Sequence, residues 1–212
     1  MGCIACATTE TLTSGTALDA AAGAHDAAAM NRIKSSLLLF PALLLAVSPL
    51  LAQDRQRVSP HETVNATIGG NDISVVYGRP YTKDPKSGEM RKIWGGLVSY
   101  GKVWRMGADE ATVFTTKNAI DMGGTTIPAG TYSLYLLPAA DGSAKLIVNK
   151  QTGQWGTKYD EAQDLARVDL KKSKPESPVE QFTIEIEQTG AAGVLTLAWE
   201  DTQYSVSFTA KK

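Results

Sequence analysis

Residues 181–210, QFTIEIEQTGAAGVLTLAWEDTQYSVSFTA, decide the fold, because apolar and polar side chains alternate there in three short runs. In the first run Phe182, Ile184 and Ile186 share one face while Thr183, Glu185 and Glu187 share the other. Successive side chains of a strand point to opposite faces, so a period of two marks a strand with one buried and one wet face. Three such runs in succession predict an antiparallel meander.

Outward from this stretch the pattern repeats toward the N-terminus. Strands are expected over 64–68, 73–77, 112–116, 132–137, 145–148, 182–187, 194–199 and 204–209. Gly69-Gly70-Asn71-Asp72, Gly123-Gly124 and Ala140-Asp141-Gly142 supply residues that tolerate the positive φ of hairpin turns, so sequence neighbours should pair antiparallel. Residues 159–167, YDEAQDLAR, are the one expected short helix, and 171–178 read as a polar loop with two prolines. The fold class read from this pattern is all-β, an antiparallel β-sandwich of jelly-roll or Ig-like type with one short helix at most. Residues 127–134, IPAGTYSL, read as a turn feeding a strand, with the Tyr132 hydroxyl returning to the backbone and Tyr132, Leu134 and Leu136 on one face. The connection over 80–101 does not alternate and is long for a compact β-domain, and long ordered loops are where function concentrates.

The 212 residues carry 21 Lys+Arg against 22 Asp+Glu, with 43% hydrophobic and 20% charged residues, which fits one globular domain and excludes collagen, coiled coil and wholesale disorder. A balance this close to neutral gives no bulk field for nucleic acid, so no nucleic-acid partner is expected. Residues 37–47, LLLFPALLLAV, follow a basic segment with Arg32 and Lys34 and precede Ala52 and the polar Gln53-Asp54-Arg55. That arrangement predicts a signal peptide over 30–52 cleaved after Ala52, a periplasmic or secreted mature domain over 53–212, and no stable membrane insertion after cleavage. Residues 1–29 have no core-forming periodicity and read as an upstream extension. Both cysteines, Cys3 and Cys6, fall in that leader, so the mature domain is expected to fold without disulfides.

Seven basic residues lie between Tyr77 and Gly107 against Asp84 and Glu89, a local net of +5, interleaved with Tyr77, Tyr81, Trp94, Tyr100 and Trp104. Aromatic faces beside guanidinium groups stack on rings, and Arg grips a carboxylate, sulfate or phosphate through paired hydrogen bonds. The expected ligand-binding residues are therefore Arg79, Trp94, Lys102, Trp104, Arg105 and Trp155, the last in a loop between Gly153 and Gly156. The competing reading is that Trp94 and Trp104 close one end of the core, while the basic residues are solvated or pair with the acidic stretch 160–201. That charge asymmetry also allows self-association.

Asp109, Glu110 and His61 are the candidates for catalysis. Asp109 and Glu110 are adjacent, so in an extended strand they are expected on opposite faces, unable to act together as a separated acid and base. His61 is the only histidine after the apolar run, so neither a His-rich metal site nor a cofactor is expected, and no G-x-S-x-G elbow supports a serine triad.

SPHETVNATIGG, ISVVYGRPY, IWGGLVSYGKVWRMGADEAT, IPAGTYSLYLLP and NKQTGQWGTKYD, in this order, resemble the domain of unknown function 2911 family of exported bacterial proteins. The resemblance spans nearly all of 58–208 and implies an envelope or secreted location in a bacterium. It implies no reaction, cofactor or catalytic residue. Asp109 and Met106 depart from the motif, where Asn and Thr are more usual, so a catalytic Asp109 would not be a family-wide feature.

These readings favour binding over catalysis: an exported module for a small, glycan-like or anionic ligand in the bacterial envelope. The alternatives are an envelope hydrolase using Asp109 or Glu110 with His61 or Arg105, and a structural or protein-interaction module.

Overall fold

The computed structural model describes residues 57–211. The expected leader, signal peptide, cleavage site and cysteine pair lie outside the described residues. The strands are β1 (His61–Ile68), β2 (Asn71–Gly78), β3 (Thr112–Thr116), β4 (Ile120–Met122), β5 (Thr125–Ile127), β6 (Gly130–Pro138), β7 (Ala144–Asn149), β8 (Asp164–Ser173), β9 (Val179–Thr189), β10 (Ala192–Glu200) and β11 (Thr202–Ala210). Every expected strand is present, and all pairings between strands are antiparallel.

Hydrogen bonding runs β1-β2-β3-β6-β7-β8-β11-β10-β9, with the β4–β5 hairpin docked on β11 through Met122 opposite Phe208. This path is one nearly closed barrel of nine strands rather than the two stacked sheets of a jelly-roll or Ig-like sandwich. Both architectures bury one face of each strand, so alternation alone does not separate them. The ten-residue β8 carries the sheet round, pairing its first part with β7 and Lys171–Ser173 with β11.

The last gap, between β1 and β9, is spanned differently. The chain leaving β2 turns onto β9, where the Thr82 amide donates to the Glu180 carbonyl at 2.7 Å and the Phe182 amide to the Pro80 carbonyl at 2.9 Å. Arg79 clamps the seam, its Nε donating to the Phe182 carbonyl at 3.2 Å, Nη2 to Thr183 Oγ1 at 2.8 Å, and Nη1 pairing with Glu62 at 2.5 Å. Inside, the Tyr77 hydroxyl accepts the Ile184 amide at 2.9 Å.

The expected helix over 159–167 is a 3-10 turn, Glu161–Gln163, capped by Asp160, after which β8 begins. Ala166, Val168 and Leu170 face inward and Arg167 and Asp169 outward, so a period of two overrode the helix-forming composition. The polar loop shortens to 174–178 because β8 runs to Ser173.

The barrel core gathers Val75, Phe114, Leu134, Leu146, Phe182 and Trp199, all essentially inaccessible. A second, smaller cluster lies on the opposite face of β6, where Tyr135 and Ile147 are covered by Val103 and Tyr159. β6 is therefore buried on both faces, which is why its sequence, GTYSLYLLP, reads as a nearly continuous apolar run. Tyr132 donates to the Pro128 carbonyl at 3.0 Å, the turn-closing bond expected from the sequence.

Candidate functional site

The loop Arg105–Glu110 connects a backbone pairing of Trp104 with Leu136 to the start of β3. It holds two of the three non-glycine residues with positive φ among the described residues, Met106 at 53° and Asp109 at 62°. Such conformations cost about 1–2 kcal/mol for a residue with a side chain and persist only where surroundings enforce them.

Glycines do the enforcing. A Cβ on Gly78 would stand 2.5 Å from the Ala108 carbonyl oxygen, and one on Gly156 would stand 2.5 Å from Arg105 Cδ and 2.9 Å from the Asp109 carbonyl oxygen. With no Cβ at either place, the Ala108 amide reaches the Gly78 carbonyl at 3.2 Å and the Gly156 amide reaches the Asp109 carbonyl at 2.9 Å. Thr112 Oγ1 donates to the Met106 carbonyl at 2.6 Å and completes the clamp.

Beside this loop lies an open cleft of about 440 Å³, walled by Trp104, Arg105, Asp109, Arg91, Tyr135 and Tyr159 among others. Trp104 stacks on Trp199 with ring centres 5.6 Å apart and meets Phe182 edge-on at 5.0 Å, so the core fixes its orientation. Arg105 is half-buried; its Nε donates to the Gly107 carbonyl at 3.2 Å, and among the described residues its two terminal nitrogens take no partner. Arg91 differs, since it bonds the Tyr81 and Thr82 carbonyls and holds the 81–91 segment together. Tyr159 donates to Asp164 Oδ2 at 2.7 Å; burial, and then that bond, push its hydroxyl up to about 12. It stays a protonated donor at any physiological pH.

Adjoining the cleft through Asp109 is a second group. His61 Nε2 stands 3.4 Å from Asp109 Oδ2 and 3.5 Å from Glu110 Oε2. Arg57 forks onto Glu110 with contacts of 2.5 and 2.9 Å and brings Nη1 to 2.7 Å from His61 Nε2. The hydrogen bond from Arg57 holds the Glu110 carboxyl below the usual carboxylate range, against a smaller opposing effect of burial.

One expectation is corrected here, and the expected ligand-binding residues are only partly brought together. Asp109 and Glu110 were expected on opposite faces, but the left-handed backbone at Asp109 breaks the strand alternation and both carboxylates reach His61. Of the six residues expected to converge on a ligand, only Trp104 and Arg105 wall the cleft. Arg79 clamps the barrel seam, Trp94 packs against Tyr204 while its indole N–H donates to the Trp199 carbonyl at 3.3 Å, Lys102 is exposed in its loop, and Trp155 lies outside the cleft with 48% of its surface exposed. The reading of Trp94 and Trp104 as closing part of the core therefore holds alongside the cleft. Sequence reasoning missed Arg57, which precedes β1 with no motif around it, and Tyr135 and Tyr159, whose signal was the two-faced burial of β6.

Residues 57–211 thus form a nearly closed antiparallel β-barrel carrying a lateral cleft and, where the clamped loop meets β1, an adjoining His-carboxylate group. The chain belongs to the family described as protein of unknown function (DUF2911), whose model matches residues 59–208 and so takes in the barrel and both features. No curated protein and no solved structure matches it. No helix among the described residues is long and apolar enough to cross a membrane.

Proposed function

We propose that this protein is an exported, non-enzymatic binding module whose cleft takes a small ligand with an anionic group and a flat or ring-shaped body, such as an acidic or phosphorylated sugar or an aromatic acid of the bacterial envelope. The observation that carries the reading is Arg105. Its guanidinium is oriented by one internal hydrogen bond, leaves a two-nitrogen fork without a partner among the described residues, and lines the same cleft as Trp104 and two tyrosines. A fork held in place gives up little further freedom on binding a carboxylate or phosphate, and aromatic neighbours add ring contact. The apolar run before Ala52 supports export.

The test is intrinsic tryptophan fluorescence titrated with phenyl phosphate, glucose 6-phosphate and glucuronic acid, using Arg105→Ala and Trp104→Phe as controls. A saturable change with at least one probe, abolished in Arg105→Ala while the melting curve stays cooperative, supports the reading. No saturable change with any of the three refutes it.

A second reading, an envelope hydrolase, draws support from the meeting of His61, Asp109 and Glu110. Glu110 is held ionised by Arg57, which suits it to electrostatic support and not to proton donation. The same pairing with Arg57 makes Glu110 a weak base, which leaves Asp109 or His61 as the general base, and ester or glycoside turnover lost in Asp109→Asn with ligand binding retained would establish this reading over the first.

A further inference from the structure

We infer that His61, Asp109 and Glu110 form a binding site for a divalent transition-metal ion, zinc by its donor chemistry, and that the Arg57 guanidinium, which holds Glu110 in this structure, competes with the ion for it. The inference shares only Asp109 with the anion-binding reading and does not rest on it.

Three features carry it, and the first is spacing. The separations of 3.4 and 3.5 Å from His61 Nε2 to the two carboxylate oxygens are long for hydrogen bonds. They match the edge of a tetrahedron whose metal bonds are about 2.0–2.1 Å, which is about 3.4 Å. One ligand atom from each of the three side chains lies within 4.8 Å of the others. The second is donor type: one imidazole nitrogen and two carboxylate oxygens suit zinc and its first-row neighbours, whereas calcium and magnesium prefer all-oxygen surroundings.

The third feature is independent of the cluster's composition. A cation is already held among these donors, since Arg57 Nη1 lies 2.7 Å from His61 Nε2 and 2.5 Å from Glu110 Oε2. The same nitrogen is 3.3 Å from His61 Nδ1, so it lies over the face of the imidazole, nearer Nε2. The ligands are also set in advance: Asp109 keeps its 62° φ because Gly78 and Gly156 let neighbouring backbone close on the loop. Three protein ligands leave a fourth position for water or for a group from the adjoining cleft.

Arg57 makes the site selective by competition. A metal ion must displace the guanidinium, so removing Arg57 should tighten metal binding, whereas a carboxylate cluster that merely pairs with an arginine would bind no metal in either form.

The experiment is zinc titration by isothermal calorimetry of the full protein, stripped of metal beforehand, in the wild type and in Arg57→Ala, His61→Ala and Glu110→Gln. Cobalt(II) spectra accompany it, because the leader's Cys3 and Cys6 would reveal themselves through thiolate charge-transfer bands that a His-carboxylate site lacks. Circular dichroism melts check that each variant is folded. The expected result is saturable zinc binding by the wild type at one site free of thiolate bands. Affinity should rise about tenfold or more in Arg57→Ala, where no cation has to leave, and fall about a hundredfold or more in His61→Ala and Glu110→Gln, as expected when a metal loses one of three ligands. Zinc bound only by Arg57→Ala, bound by neither form, or bound with equal affinity in folded His61→Ala would overturn the inference and make Arg57 the permanent partner of this cluster.

Discussion

Gly156→Ala tests whether the clamp on the Arg105–Glu110 loop shapes the cleft. The new Cβ would stand 2.5 Å from Arg105 Cδ, 2.8 Å from Arg105 Cβ and 2.9 Å from the Asp109 carbonyl oxygen. Ordinary carbon contacts begin near 3.5 Å, so the nearest atom has to retreat by about 1 Å. The Asp109 carbonyl resists, because it accepts the Gly156 amide itself, so the Arg105 side chain is the part that yields. Its Nε bond to the Gly107 carbonyl is then stretched or lost, and the fork leaves the cleft wall. Overpacking costs about 1–3 kcal/mol. At about 2 kcal/mol, a domain of this size should melt about 4–8 °C lower. Affinity for phenyl phosphate should fall about tenfold or more, as expected when a charged hydrogen bond is misplaced. Calorimetric melting and fluorescence titration measure the two effects. A variant that keeps both its melting temperature and its affinity would refute the reasoning, because the loop would then have slack that the contacts deny.

Further outcomes follow from other parts of the molecule. Tyr77→Phe strips the buried Ile184 amide of its acceptor across the barrel interior and should cost about 1–3 kcal/mol in urea unfolding, with no loss meaning that the seam holds without this bond. Glu200 has its carboxyl raised first by burial and then by Asp201, so its protonated form favours the fold: that stability is complete below the unfolded pKa and is lost as pH rises through the folded one. Glu200→Gln should therefore melt higher than the wild type at neutral pH, and the gap should close in acid below about pH 4. A gap that widens in acid would reverse the sign. Trp155→Ala should change stability by less than about 0.5 kcal/mol and leave cleft affinity unchanged, because the ring is 48% exposed and lies outside the cleft; a loss of affinity would return Trp155 to the site.

The strands were legible because period-two alternation is a local property, and QFTIEIEQ carries it without ambiguity. Closure was not legible. Whether strands curl into a barrel or split into stacked sheets depends on which ends meet, and here that is set by Pro80–Thr82 turning onto β9, a contact across about a hundred residues of chain. Arg79 illustrates the consequence, since its charge and its aromatic neighbours suggested a ligand while its hydrogen bonds go to β9. YDEAQDLAR misled through composition: Asp160 is a good cap and Ala, Gln and Leu favour helix, yet burial of Ala166, Val168 and Leu170 decided for a strand. At the site, Trp104, Arg105 and the trio of His61, Asp109 and Glu110 could be picked out as residue types. Their arrangement could not, because it turns on a left-handed Asp109 that only the packing around Gly78 and Gly156 enforces.

The central claim is that Arg105 presents an anion-binding fork to the cleft, and the most direct measurement follows that side chain. In a nitrogen-15 NMR titration with phenyl phosphate, the Arg105 Nε–H signal and the Gly156 and Thr157 amides should shift together along one saturation curve. Signals from the exposed Lys83, Lys86 and Lys102 should stay in place at moderate salt, where diffuse surface attraction is screened. Movement spread over those lysines and fading with salt, with Arg105 unmoved, would contradict the account and mean that the basic segment is only a charged surface.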